Sequence, residues 1–367
     1  MSTLDHAKAL IACASVTPDE AGCYAYLETV LQDMGFVTQR CDFGSVKNLY
    51  ATRGNQGPHC MFAGHVDVVP AGAESAWSVP PFQPSIQDNH LWGRGAVDMK
   101  GAIAAFLGAM EPTPCNRTIS VLLTSDEEGT AQDGTRKLVP WMKENNICPD
   151  VVILGEPTGT KVGEEIKIGR RGSVTATLEI QGSQGHIAYP ENFQDPLHPL
   201  LRCLHQLTEH TLDEGNEYFQ PSRLQVTSLD VGNLVTNITA HRAKAMWGVR
   251  FNPLHTCQSL MAWMHKVCAE TLGHLPYTLD MQPHGPAYLT QDHRWIERIV
   301  QSVKEGCASI PKLSTTGGAT DGRFLIDCAP VIECGLPETT MHQGNERVHL
   351  DDLRRLENIY RQIFFFS

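Results

Sequence analysis

The sequence predicts an α/β protein: a mostly parallel sheet with helices on both faces, interrupted by a smaller inserted α+β domain of ferredoxin-like order. Three observations predict it. Short apolar runs alternate with helical patterns through the first half of the chain, the rhythm changes after Gly172, and the first rhythm returns from Gln291 to the end.

In the first half, strand-like Cys60 to Ala63 is followed by helical Gly101 to Met110, and strand-like Ile119 to Thr124 by helical Leu138 to Asn145. A further apolar run follows at Val151 to Leu154. Strands separated by helices pair in parallel, because the helix carries the chain back across the sheet. The next stretch reads differently. Strand-like Ser173 to Gln181 precedes helical Pro196 to Thr211. Two extended runs follow, Arg223 to Leu229 and Ala240 to Asn252, then a helix from Thr256 to Leu272 and a last strand from Tyr277 to Gln282. This β-α-β-β-α-β order spans roughly 110 residues, enough for an independent unit. Residues 172–284 are therefore assigned to the insert, and 1–171 with 285–367 to the domain it interrupts. The closing Ile363-Phe364-Phe365-Phe366 is expected to be the buried end of a last helix rather than an anchor.

Composition narrows the function. The 367 residues are 41% hydrophobic, which suits a soluble globular protein with real cores. A net charge of -12 argues against a nucleic-acid partner or an anionic membrane surface, so any anionic substrate needs a local cationic patch. The twelve cysteines are scattered without a C-x-x-C pair and read as reduced thiols of a cytoplasmic protein. The N-terminus lacks the pattern of a secretory signal, and no apolar run approaches the roughly 20 residues of a membrane span.

Ligands of such a sheet gather at the carboxyl ends of its strands. Four segments offer acids or histidines at those positions: Gly64-His65-Val66-Asp67, Gly93 to Gly101 with Asp98, Ser125-Asp126-Glu127-Glu128-Gly129, and Gly155-Glu156-Pro157-Thr158. One acid after a strand is usually a cap or a solvated loop. The same position used repeatedly is not. Imidazole with carboxylate and without cysteine suits a hydrolytic zinc site. A second histidine, His342, stands before the helical tail. Two histidines with three or more carboxylates can hold two metals if one carboxylate bridges, and Asp98 is the candidate bridge. The Gly93-Arg94-Gly95 string does not make a dinucleotide fingerprint, because Asp98 occupies the third glycine position.

The strings G-H-V-D-V-V-P, G-R-G-A-V-D-M-K-G, T-S-D-E-E-G, G-E-P-T and T-M-H-Q, in this order, resemble the di-zinc aminoacylase and carboxypeptidase-type metallopeptidases over essentially the whole chain. Within that family, I-K-I-G-R-R-G-S at 166–173, Q-G-H-I-A-Y-P at 184–190 and D-G-R-F at 321–324 resemble the members that remove succinyl groups from amino-acid amines. The resemblance implies a zinc-peptidase-like catalytic domain and two Zn2+ per chain, with Co2+ able to substitute. His65 and Glu156 would hold one ion, Glu128 and His342 the other, and Asp98 both. Asp67 would orient His65 by accepting from its other ring nitrogen. Glu127 would be the general base. His186, in the insert, would stabilise the developing oxyanion across a homodimer interface that the insert builds.

The substrate so implied is a small N-succinyl amino acid carrying several carboxylates, which guanidinium forks bind at two points. Arg170, Arg171, Arg250 and Arg323 are the candidate cations, and Ser173, Tyr189, Asn237, Gly318 and Asn345 match substrate-contacting positions. One departure bears on specificity: the chain reads G-G-A-T-D-G-R-F, so Ala319 lacks a hydroxyl expected near a substrate carboxylate. An acetyl-amino-acid amidase or a dipeptidase of the same family is the nearest rival, and the Arg170-Arg171 pair speaks against it. A non-catalytic binding protein would need to have lost a ligand or the base, and both are present.

Overall fold

A computed structural model describes residues 1–110 and 117–365. Phe366 lies outside the described residues. By internal contacts the chain divides into two units. One comprises Met1–Gly169, Thr290–Ser314 and Thr320–Ser367; the other comprises Arg170–Leu289 and Thr315–Ala319.

The first unit is built on an eight-stranded sheet. Its order is Val37–Arg40, Asn48–Arg53, Thr118–Thr124, His59–His65, Val151–Leu154, Val331–Glu333, Glu165–Lys167, Lys312–Ser314. Thr118–Thr124, His59–His65, Val151–Leu154 and Val331–Glu333 run parallel to one another, as do the last two strands. The two leading strands and the Glu333–Lys167 bridge are antiparallel. The central strands are apolar almost throughout because both faces are covered. Register shows which helices cover which face. Phe62, Val121 and Ala51 stand side by side, and on the next rung Ala63, Leu122 and Tyr50 point the opposite way. Phe62 stacks on Phe106 of helix Lys100–Ala109 at 4.5 Å and meets Tyr360 of helix Leu350–Phe364 edge-on at 5.6 Å. Tyr50 meets Trp141 of helix Thr135–Glu144 at 5.5 Å on the other face. Ile363 and Phe364 of the last helix are fully buried, Phe364 lying 5.1 Å from Phe106. Each such side chain contributes about 2 kcal/mol by leaving water.

The second unit has a four-stranded antiparallel sheet in the order Arg223–Asp230, Arg242–Phe251, Gly172–Gln181, Tyr277–Gly285. With helices Leu197–Glu209 and Cys257–Leu272 this is the ferredoxin-like arrangement. Val174, Ala176, Leu178 and Ile180 alternate onto one face and pack with Trp247, Leu200, Leu207, Leu260 and Met264. Cys203 and Cys268 bring their sulfurs within 3.5 Å in this core, and no disulfide forms among the described cysteines. No helix among the described residues is long and apolar enough to cross a membrane.

Candidate metal centre

The strand order explains how distant acids and histidines converge. His65 ends one central strand, Glu127 and Glu128 follow Thr118–Thr124 beside it, and Glu156 follows Val151–Leu154 on its other side. Parallel neighbours send their carboxyl ends out at one edge. Asp98 precedes helix Lys100–Ala109, and His342 follows the short turn Glu338–Thr340.

Asp98 is the hub. Its Oδ1 lies 3.1 Å from His65 Nε2 and its Oδ2 lies 3.0 Å from His342 Nε2, so each carboxylate oxygen faces a different imidazole. His65 Nε2 is also 3.7 Å from Glu156 Oε1, and His342 Nε2 is 2.8 Å from Glu128 Oε1. His65 Nδ1 lies 2.8 Å from the main-chain carbonyl of Asp67; donating there, it leaves Nε2 turned toward the acids. The orienting contact expected of the Asp67 side chain is thus made by its main chain. The carboxylate stands 3.6 Å from Nδ1 and instead accepts the N–H groups of Glu127 (3.4 Å) and Glu128 (3.1 Å), holding the loop that presents both. Asp126, not singled out in the sequence, braces the same loop: its carboxylate accepts the N–H groups of Thr130, Ala131, Gln132 and Asp133.

Ligand atoms of His65, Glu127 and Glu156 lie within 4.8 Å of one another, and so do those of His65, Asp98 and Glu128. These clusters share His65 and cut across the expected division into two ligand pairs. The geometry gathers the set without dividing it.

Crowding governs the electrostatics. Burial pushes the Glu127 carboxyl well above its usual range, and the charges of Asp321, Glu128 and Asp98 add to it. Burial likewise raises Glu156, with Glu127 and Asp98 adding. Hydrogen bonds to Asp98 and Glu128 push His342 up to about 10. Burial opposes a charge on His65, but the hydrogen bond to Asp98 and the surrounding carboxylates hold it well above the ordinary range. Among the described residues, Asp67, Asp98, Glu128 and Glu156 form ion pairs with imidazole only, and neither they nor Glu127 pair with a lysine or arginine. Glu156 Oε1 is buried without a hydrogen-bond partner. Oxygen and imidazole donors around uncompensated negative charge fit divalent cations such as zinc.

The remaining candidate residues divide between the units. Arg170 is buried, and its Nη1 donates to the carbonyl of Thr316 at 2.8 Å. Gly317 turns beside it at φ +106, where a Cβ would fall 1.9 Å from the same nitrogen. Arg170 therefore braces the segment bearing Gly318 and Ala319. Arg171 is half-buried; burial and the neighbouring charge of Arg250 push it below its usual range. Arg250 stands opposite Ser173 in the strand register, and the Ser173 hydroxyl is buried without a partner. His186, Tyr189 and Asn237 are exposed in the same unit. His186 Nδ1 accepts the Ala188 N–H at 3.1 Å, which places the proton of the neutral ring on Nε2. Asn345 is in the first unit, and its side-chain oxygen accepts the Ser78 N–H at 2.6 Å. Arg323, also there, lies with its guanidinium carbon 4.7 Å from the Phe324 ring centre.

Comparison with known proteins gives this site a family. The chain is 44% identical over 371 residues to the succinyl-diaminopimelate desuccinylase of Parvibaculum lavamentivorans, covering 98% of this chain and 94% of that one. Its fold matches the M20 family metallo-carboxypeptidase Sso-CP2 from Sulfolobus solfataricus with a TM-score of 0.81 at 17% identity, over 99% of this chain and 98% of that one. It also matches the YXEP protein of Bacillus subtilis, described as a dinuclear metal-binding peptidase of the M20 family, with a TM-score of 0.67 at 13% identity over 99% and 97% of the two chains. Residues 61–365 match the pattern of peptidase family M20/M25/M40, and the chain belongs to that family.

Proposed function

We propose that the chain is a metal-dependent amidohydrolase that cleaves N-succinyl-LL-2,6-diaminopimelate to succinate and LL-2,6-diaminopimelate, a step of lysine and diaminopimelate biosynthesis in the cytoplasm. The observation that carries the chemistry is Asp98 with one oxygen toward His65 and the other toward His342, the disposition a bridging carboxylate requires. The near-full-length similarity to a named desuccinylase carries the substrate. His65 and Glu156 hold one Zn2+, Glu128 and His342 the second, and Asp98 both, with Co2+ able to substitute. The description of the Bacillus subtilis relative as dinuclear supports the count. Bound there, such cations lower the proton affinity of water and polarise an amide carbonyl.

The chain's own residues supply the rest. Glu127 takes the proton of the attacking water and returns it to the leaving amine. Its loop is held by Asp67 and Asp126, so its position does not depend on a mobile backbone. Arg171 and Arg250 are two neighbouring guanidinium groups, with the unpartnered Ser173 hydroxyl in register with Arg250, a set suited to substrate carboxylates. Arg323, Tyr189, Asn237, Gly318 and Asn345 complete the contacts.

The active form is a homodimer built through the inserted unit, in which His186 serves its partner's site. Support comes from the surface of that unit. Strand Arg223–Asp230 is a sheet edge, and Leu229, Leu234, Val235 and Met246 expose 48%, 95%, 48% and 43% of their surface on it and around it. The exposed Nε2–H of His186 is the donor that an amide oxyanion needs.

Substrate comparison tests the reading. Succinyl ends in a carboxylate that acetyl lacks, so a pocket built for it leaves donors unpaired with the shorter acyl group. N-succinyl-LL-2,6-diaminopimelate is expected to exceed N-acetylornithine and a dipeptide by at least about a hundredfold in kcat/KM. Equal or better turnover of the acetyl substrate would overturn the desuccinylase assignment and leave the metal chemistry standing.

A further inference from the structure

We infer that Glu346, locked by Arg94, is a positioning residue that sets Asp98 and His342 in the relation a two-cation centre needs; the inference rests on the metal-centre reading above. Glu346 is fully buried, and both carboxylate oxygens are engaged. Oε2 accepts Arg94 Nη1 at 2.8 Å and the Gly95 N–H at 3.0 Å; Oε1 accepts the N–H groups of Val97 at 2.9 Å and Asp98 at 3.2 Å. One side chain therefore gathers three main-chain donors of the loop that ends in Asp98, including the N–H of Asp98 itself. Its main-chain carbonyl accepts a fourth, from Gly93 at 3.0 Å.

Arg94 carries the tie in the other direction. It is 2% exposed, donates to the carbonyls of Gln343 at 3.2 Å and Pro70 at 3.3 Å, and lies 5.1 Å from the Trp77 ring centre. The segment from His342 to Glu346 doubles back on itself, with His342 and Asn345 both at φ +60, a left-handed conformation rarely held without surrounding constraint. The turn lets one short segment contribute His342 on one side of Asp98 and Glu346 on the other. Two loops from opposite ends of the sequence are joined in a buried joint, and the 3.0 Å contact between His342 Nε2 and Asp98 Oδ2 is what the joint maintains. Nothing in the sequence singled out Glu346, since an acid that serves main-chain donors has no residue-type signature.

Glu346→Gln tests the role. An amide offers one acceptor oxygen where the carboxylate offers two, so one pair of donors faces an NH2 group and Arg94 loses its counter-charge. Zn2+ titrated calorimetrically into the chelator-stripped, folded variant should show one equivalent bound as in the parent chain and the second weakened at least about tenfold. Excess Zn2+ should restore kcat with KM unchanged. Arg94→Lys, which keeps the charge but not the planar fork, should show the same selective loss to a smaller degree and decides the matter if Glu346→Gln does not fold. Two equivalents at parental affinity in a folded variant, with only a lower Tm, would overturn the inference and make Glu346 a scaffold residue. A parent chain that binds no metal would instead bring down the metal-centre reading itself.

Discussion

Replacing Glu127 with Gln is expected to lower kcat on N-succinyl-LL-2,6-diaminopimelate by at least about a hundredfold and to leave the metal content unchanged. The substitution keeps the size of the side chain and removes only its capacity to hold the water's proton. The loop is unaffected, because it is held through main-chain N–H groups by Asp67 and Asp126 rather than through the Glu127 side chain. Glu128 keeps its 2.8 Å contact with His342. The experiment discriminates sharply because Glu127 is within 4.8 Å of His65 and Glu156, close enough to be a ligand in its own right. Kinetics with elemental analysis of the same preparation separate the roles: loss of a metal along with the rate would show that Glu127 and Glu128 have been wrongly divided between base and ligand.

Mixing two inactive chains restores activity if His186 serves its partner. In the proposed dimer, each variant homodimer, His186→Ala or Glu127→Gln, would lack one essential group at every site. In a hybrid dimer, one site draws Glu127 from the first variant and His186 from the second, while the other site lacks both. Activity is therefore expected to rise from near zero toward a quarter of the wild-type level in an equimolar, fully exchanged mixture, since half the dimers are hybrids and each has one intact site out of two. The measurement is succinate release after subunit exchange, with hybrid formation verified by differently tagged chains. Hybrids that form but remain inactive would show that His186 acts within its own chain or has no part in the reaction.

The inserted unit was legible almost element by element because its strands are long and half-buried, so polarity alternates along them; Gly172–Gln181 and Arg242–Phe251 carry ten residues each of that pattern. The central strands were legible as apolar runs. Glu165–Lys167, Lys312–Ser314 and Val331–Glu333 were not, since three residues are too few to display a period. Nor was the three-stranded sheet that pairs Arg347–His349 with His90–Trp92 and Ser85–Gln87, because its register joins segments far apart in sequence. That these acids and histidines would gather could be read because one loop position recurs after successive strands. What the sequence concealed was support. Arg170, a candidate substrate-binding cation in the sequence, also braces the Thr316-Gly317 backbone, Asp67, a candidate partner for the His65 ring, also holds the Glu127-Glu128 loop, and Asp126 and Glu346 act through main-chain hydrogen bonds that leave no motif.

In the proposed reaction, hydrolysis requires two cations held by His65, Asp98, Glu128, Glu156 and His342. The most direct test of this requirement is to strip the chain with chelator, titrate Zn2+ back, and follow succinate release from N-succinyl-LL-2,6-diaminopimelate against metal bound per chain. No turnover is expected without metal, and the rate should reach its plateau at two equivalents. Full hydrolysis by the stripped chain, or a plateau at one equivalent with no second ion bound, would contradict the two-cation requirement.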